Sequence, residues 1–150
     1  MDSNNLKIQF KKIFISSDHA GFKLKENIKK KLKKSKLNII DLGPNENISV
    51  DYPDFAKKVA KKVSLKKSNA GILVCGSGTG MAISANKFKK VRAAVCFNKA
   101  STCLSRQHNN ANIITLGARL TKTTNALRLV NFFLSTKFEG GRHLRRVKKI

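Results

Sequence analysis

The segment Ala70-Gly71-Ile72-Leu73-Val74-Cys75 runs directly into Gly76-Ser77-Gly78-Thr79-Gly80. A nearly all-apolar run of this length suits a strand covered on both faces, because a strand with one wet face would alternate with polar residues. The glycines that follow turn the chain at the strand's end, and Met81, Ala82, Ile83 and Ala85 lead into a short helix. A buried strand feeding a helix through a glycine loop is the unit of a parallel α/β sheet.

The rest of the chain repeats that alternation. Ile13 to Ser16 predicts a first strand, followed by the loop Asp18-His19-Ala20-Gly21 and a helix with Phe22, Leu24, Ile28 and Leu32 at helical spacing. Asn38 to Leu42 predicts a second strand closed by Gly43-Pro44. After the polar loop Asn45 to Asp51, Pro53 opens a helix with Phe55, Ala56, Val59, Ala60 and Val63 on its apolar side. Val91 to Cys96 predicts a fourth strand, Asn98 to His108 a polar loop and helix, and Asn112 to Leu116 a fifth strand closed by Gly117. Thr123 to Thr136 predicts a last helix, and a basic tail follows Phe138. These elements predict a three-layer α/β/α sandwich with a five-stranded parallel Rossmann-like sheet and right-handed crossovers. Such sheets bind ligands beyond the carboxyl ends of their strands, here the loops at Asp18, Gly43, Cys75, Asn98 and Gly117.

A chain of 150 residues makes one domain with a substantial core. Residues 12–150 are expected to form it and residues 1–11 a short N-terminal extension. No apolar run approaches a membrane span, and Met1 to Lys12 lacks the apolar stretch of a secretory signal. Lys7, Lys11 and Lys12 leave organelle targeting open. Three cysteines without paired spacing fit a reducing, cytoplasmic compartment better than a disulfide framework.

Thirty-two Lys plus Arg against eight Asp plus Glu give a formal charge of +24. That balance raises the question of nucleic acid. The lysines are spread over every element among many Asn and Ile, the pattern of compositional bias on solvated faces, so no specific nucleic-acid partner is expected and most of the charge is assigned to composition.

Three groups of residues carry possible chemistry. The Gly76 to Gly80 loop can aim amides at a phosphate or a developing oxyanion, or can be a tight turn without a ligand. It has neither the Gly-Lys-Ser/Thr of a nucleotide-binding loop nor the spacing and context of a dinucleotide fingerprint. Cys75 can be a core cysteine, but its place at the loop favours a thiolate that acts as base or nucleophile. Cys96 and Cys103 have no comparable loop. His19, His108 and His143 all stand in polar contexts without short-range ligand pairs, so a metal site is not expected, and proton transfer or phosphate binding suits them better. Arg142 and Arg146, four apart, would share one face of a terminal helical turn and could clamp a phosphate, or form a solvated basic terminus.

Taken in order, Asp18-His19-Ala20-Gly21, Gly71 to Gly80, Ala85-Asn86-Lys87, Leu104-Ser105-Arg106-Gln107-His108-Asn109 and Glu139-Gly140-Gly141-Arg142-His143 resemble the type B ribose-5-phosphate isomerases, a family that also holds the galactose-6-phosphate isomerase subunits. The likeness is collinear from about Lys12 to Ile150. It implies a Rossmann-like fold, no metal or cofactor, and a homodimer or dimer of dimers whose active sites are shared between subunits. It further implies Cys75 as the base that moves a proton between C1 and C2, His108 as the ring-opening group, and Asp18 as an assistant at the ring. Gly76, Ser77, Gly78 and Gly80 would serve the enediolate oxygens. His19, Arg142, Arg146, Arg119 and His143 would serve the phosphate, and Tyr52 and Asn109 would line the sugar pocket. Gly76 to Lys87 contains no carboxylate, which places the chain with the cysteine rather than the glutamate branch. The expected reaction is ribose 5-phosphate to ribulose 5-phosphate, with galactose or allose 6-phosphate as the hexose alternatives and a catalytically silent nucleic-acid-binding protein as the least favoured one.

Overall fold

A computed structural model describes residues 7–150. Eleven elements follow one another: β1 (Lys12–Ser17), α1 (Phe22–Lys34), β2 (Ile39–Asp41), α2 (Tyr52–Leu65), β3 (Asn69–Cys75), α3 (Thr79–Ala85), β4 (Ala93–Val95), α4 (Lys99–Gln107), β5 (Ile113–Gly117), α5 (Thr123–Ser135) and α6 (Arg142–Val147). The strands form one parallel sheet in the order β2-β1-β3-β5-β4. The chain therefore winds outward from β1 to β2, crosses back to β3 in the centre, and reverses again to place β5 inside β4.

The centre of the sheet is where the sequence is most apolar. All seven residues of β3 are buried, and each large aliphatic side chain among them adds about 1.5–3 kcal/mol of burial free energy. Its two faces feed two cores. Ile13, Ile15, Ile72 and Val74 face Leu24, Ile28, Leu129 and Phe133 of α1 and α5. Phe14, Leu73 and Ile113 face Val59, Ala60 and Val63 of α2 and Met81 of α3. The three-layer expectation is met.

The edge strands are shorter than the sequence predicts. β4 begins only at Ala93: Arg92 N, just before it, donates to Asn112 Oδ1, and the Asn86 amide both accepts from Ala93 N and donates to Ala93 O. β2 ends at Asp41, whose carboxylate accepts from Gly43 N and turns the chain away. The tail beyond Phe138 is ordered into α6. Of the proposed N-terminal extension, residues 1–6 lie outside the described residues; Gln9 N donates to Leu134 O and the Phe10 ring stacks on Phe133 at 6.1 Å, so residues just before β1 pack against the domain.

A buried ion cluster holds the start of the long loop after β2. Lys25, fully buried on α1, donates from Nζ to both Asp41 oxygens at 3.0 and 2.9 Å and to Pro44 O at 2.7 Å. Lys29 adds a 2.6 Å bond to Asp41 Oδ2. Burial raises the Asp41 pKa, but Lys29, Lys25 and the Gly43 amide outweigh it and hold the carboxyl below its ordinary range.

Candidate active site

At the carboxyl end of β3, Cys75 is 4 % exposed and its Sγ accepts from Gly78 N at 3.1 Å. Gly78 takes φ 81, a left-handed backbone that turns its amide onto the sulfur and that a side chain would strain. The loop is stitched to the end of β5: Ala118 N donates to Cys75 O at 2.8 Å and Arg119 N to Gly76 O at 3.0 Å. Asp18, 8 % exposed at the end of β1, accepts from Gly21 N at 2.9 Å, closing the first βα turn beside the second. Tyr52, the first residue of α2, lays its ring against Gly80, where a Cβ would sit only 2.7 Å from Cε2. A cavity of about 290 Å³ is lined by Asp18, Tyr52, Cys75, Gly76, Ser77, Gly80 and Arg119, together with Leu120. The sequence does not single out Leu120; an exposed leucine three residues beyond a strand end carries no local signal. His19 stands at the same end of the sheet, exposed, with its Nδ1 accepting from Val50 N at 3.4 Å.

The second group of expected residues lies elsewhere in the chain. α4 runs from the carboxyl end of β4 back toward the start of β5, and nine helical residues at 1.5 Å each carry it about 13 Å. His108 and Asn109 follow it, so they stand at the amino-terminal end of the sheet. There His108, Asn109, His143 and Arg146 line a separate cavity of about 270 Å³, which shares no residue with the Cys75 cavity. The His108 and His143 rings stack with centroids 4.1 Å apart and planes 11° apart. Glu139 Oε2 lies 3.9 Å from His108 Nε2 and 3.6 Å from His143 Nε2. Burial, His108 and Arg142 together push His143 below the usual imidazole pKa, against the opposing pull of Glu139. Arg142 stands one turn before Arg146 on the same face of α6, as expected, but does not line the cavity.

Glu139 is the residue whose place among the histidines the sequence did not reveal: its N–H donates to Gln107 O at 3.1 Å, which sets it beside His108, and the turn through Gly140 and Gly141 at positive φ brings His143 back to the pair. The three side chains offer ligand-type atoms within 4.8 Å of one another. Nearly parallel, stacked imidazoles share no point lying in both ring planes at the roughly 2.0–2.1 Å of a metal–nitrogen bond, so this arrangement favours hydrogen bonding and anion contact over coordination. Among the described residues, no helix is long and apolar enough to cross a membrane.

The Ribose/Galactose Isomerase family model matches residues 13–150. The chain is 41% identical over 140 residues to the ribose-5-phosphate isomerase B of Escherichia coli K12, covering 93% of this chain and 94% of that protein. Among solved structures, the Clostridium thermocellum ribose-5-phosphate isomerase B superposes with a TM-score of 0.90 at 48% identity, over 92% of this chain and 93% of that one. The Mycoplasma genitalium ribose-5-phosphate isomerase B with bound ribulose-5-phosphate superposes with a TM-score of 0.90 at 45% identity, over 92% of each chain.

Proposed function

From membership of the ribose/galactose isomerase family, to which this chain belongs over residues 13–150, we propose that it interconverts ribose 5-phosphate and ribulose 5-phosphate, the aldose–ketose step of the non-oxidative pentose phosphate pathway, in the cytoplasm. The observation that carries this reading is the Cys75 sulfur held by the Gly78 amide at 3.1 Å on the floor of a cavity walled by Asp18, Tyr52 and Arg119.

The chemistry needs a proton acceptor over C2 and positive dipoles at the C1 oxygen. Ring opening comes first: one imidazole takes the proton from the C1 hydroxyl and delivers one to the ring oxygen as the C1–O bond breaks, and we assign this to His108. Asp18 holds the sugar hydroxyls beside it. The Cys75 thiolate, steadied by the Gly78 amide, then removes the C2 proton, the electron pair moves to the C1 oxygen, and the amides of Gly76, Ser77 and Gly80 with the Ser77 hydroxyl stabilise the resulting enediolate. Returning the proton to C1, with transfer of the C2 hydroxyl proton, gives the ketose. Oxidation at C2 balances reduction at C1. Arg119, Arg142, His143, Arg146 and His19 hold the phosphate, and Tyr52 and Asn109 flank the sugar, so that phosphate binding orients the reacting carbons.

Cys75 and His108 stand at opposite ends of the sheet in one chain, so a working site needs His108, Asn109, His143 and Arg146 of the partner subunit against Cys75. A homodimer with two shared sites satisfies that requirement by symmetry. The free state of Cys75, Cys96 and Cys103 fits the cytoplasmic assignment.

The direct test is ketose formation by the purified, metal-stripped protein from ribose 5-phosphate and from galactose 6-phosphate. Preferred turnover of the pentose phosphate is expected. Preference for galactose 6-phosphate overturns the substrate assignment, and inactivity on both by a folded dimer overturns the isomerase reading.

A further inference from the structure

A third cavity, of about 250 Å³, opens at the amino-terminal end of the sheet and shares no lining residue with either cavity above. Phe10 and Val63 form its apolar floor, Lys66 and Lys67 one wall at the end of α2, and Lys90 and Arg92 another just before β4. The remaining lining residues are neutral, so the cavity holds four cationic side chains and no carboxylate.

Two further observations show that its positive charge is uncompensated. Every ion pair among the described residues involves Lys25, Lys29, His108 or His143; Arg92 and the nearly buried Arg106 have none. Arg92 spends its Nε on the carbonyls of Asn109 and Asn110 at 3.1 and 2.9 Å, and Arg106 bonds to Asn110 Oδ1 and the carbonyls of Ala111 and Thr136. Neutral acceptors leave the charge itself in place, and burial with repulsion from Arg92 lowers the Arg106 pKa to about 10. Lys90, in turn, occupies φ 66, a backbone that glycine takes freely and lysine does not, and Asn112 Nδ2 holds its carbonyl there at 2.7 Å. A strained lysine thus contributes to the cationic wall.

We propose that this cavity is a second anion site, distinct from the sugar-phosphate site, that takes a small ligand bearing two phosphate groups. Lys66, Lys67 and Lys90 are exposed and Arg92 is half-buried, so the long side chains are free to close over an anion resting on the apolar floor. Those cations come from two separate segments, so one phosphate group on each wall would neutralise both. Arg92 also bonds to the Asn109 backbone, so an occupant here sits one residue's reach from the histidine half of the sugar site.

The test is a titration of the intact protein with inorganic pyrophosphate, fructose 1,6-bisphosphate and orthophosphate at 0.15 M salt, a condition that screens loose surface charge beyond about 8 Å, followed by backbone amide NMR. Saturable shifts at Lys66, Lys67 and Lys90 to Asn112 are expected, with the bisphosphates about tenfold tighter than orthophosphate. Pyrophosphate alone would identify a free inorganic diphosphate; binding by both would identify the phosphate pair of a metabolite. Lys90→Gly is expected to raise Tm by relieving the backbone while weakening pyrophosphate about fivefold or more. A triple Lys66→Gln, Lys67→Gln, Lys90→Gln variant is expected to abolish saturation, whereas Lys30→Gln, Lys33→Gln, Lys34→Gln, with the same net charge, leaves it intact. Equal loss in both triple variants, shifts confined to His19, Arg142 and Arg146, or unchanged affinity in Lys90→Gly overturns the proposal.

Discussion

If Cys75 and His108 serve one site only across a subunit boundary, two inactive variants repair each other. Cys75→Ala removes the proton acceptor and His108→Ala the ring-opening group, and loss of a general acid or base costs about 10²–10⁴ in rate, so each parent retains at most about 1% of wild-type turnover. In a dimer that carries one chain of each kind, the two shared sites are unequal. One combines both substitutions and is dead, while the other combines the intact Cys75 of the His108→Ala chain with the intact His108 of the Cys75→Ala chain. Random reassortment of equal amounts gives about half mixed dimers, and one site in two of these is complete, so about a quarter of all sites should work. The premise rests on the separation seen in the chain: the nine residues of α4 carry it about 13 Å away from the strand ends, so His108 lies at the opposite end of the sheet from Cys75. The assay is ketose formation after joint unfolding and refolding of the two variants, with native mass spectrometry to count mixed dimers. Recovery near a quarter of wild-type activity is expected. Activity no greater than the mean of the parents, in a sample in which mixed dimers are present, would refute the shared site and require His108 to act elsewhere.

Other consequences follow from single contacts. Gly80→Ala places a methyl 2.7 Å from Tyr52 Cε2; because Tyr52 is 41 % exposed, the ring swings out rather than straining the core, so urea stability should hold while kcat/KM falls by up to about 100-fold. Asp41→Asn leaves fully buried Lys25 with only the more exposed Glu26 carboxylate, at 3.1 Å, and should cost about 3 kcal/mol, and joint replacement with Lys25→Met should recover much of it, both read from urea midpoints. The Asp41 carboxyl titrates lower in the folded chain than in the unfolded one, so its contribution is complete above about pH 4 and is lost as pH falls through the folded value; the urea midpoint of Asp41→Asn should show a shallower acid decline than wild type. His143 has the opposite charge logic. Its pKa is lowered on folding, so the unfolded chain binds the proton first and stability declines as pH falls through about 6.5; His143→Gln should flatten that part of the profile between pH 7.5 and 5.5.

How far the sequence discloses the molecule depends on whether the governing contact is local. β3 and its glycine loop are readable because every residue of the strand is buried and the turn's backbone demands lie within five residues. The elements around Cys75 are readable for the same reason: Asp18, Gly76 and Gly117 each end or follow a strand of one parallel sheet, so topology alone gathers them. The limits of β4 are not, because Asn86 and Asn112 arrive there from other segments, and β2 stops early because its own last residue, Asp41, takes the Gly43 amide while held by Lys25 and Lys29 of α1. The histidine group is the deeper case. Family resemblance assigns His108 and Cys75 to one reaction, while the antiparallel course of α4 puts them at opposite ends of one chain. The shared site proposed above reconciles the two: if it is built from two copies, a sequence, which describes one copy, contains its residues without showing their meeting. The tail shows the same limit within a single chain: Arg142 and Arg146 share a face by spacing alone, but Glu139 reaches His108 through its backbone bond to Gln107 O at 3.1 Å, and His143 joins them through the positive-φ turn at Gly140 and Gly141. Spacing fixes which residues share a face; a bond between distant segments and the turn after it decide which of them meet.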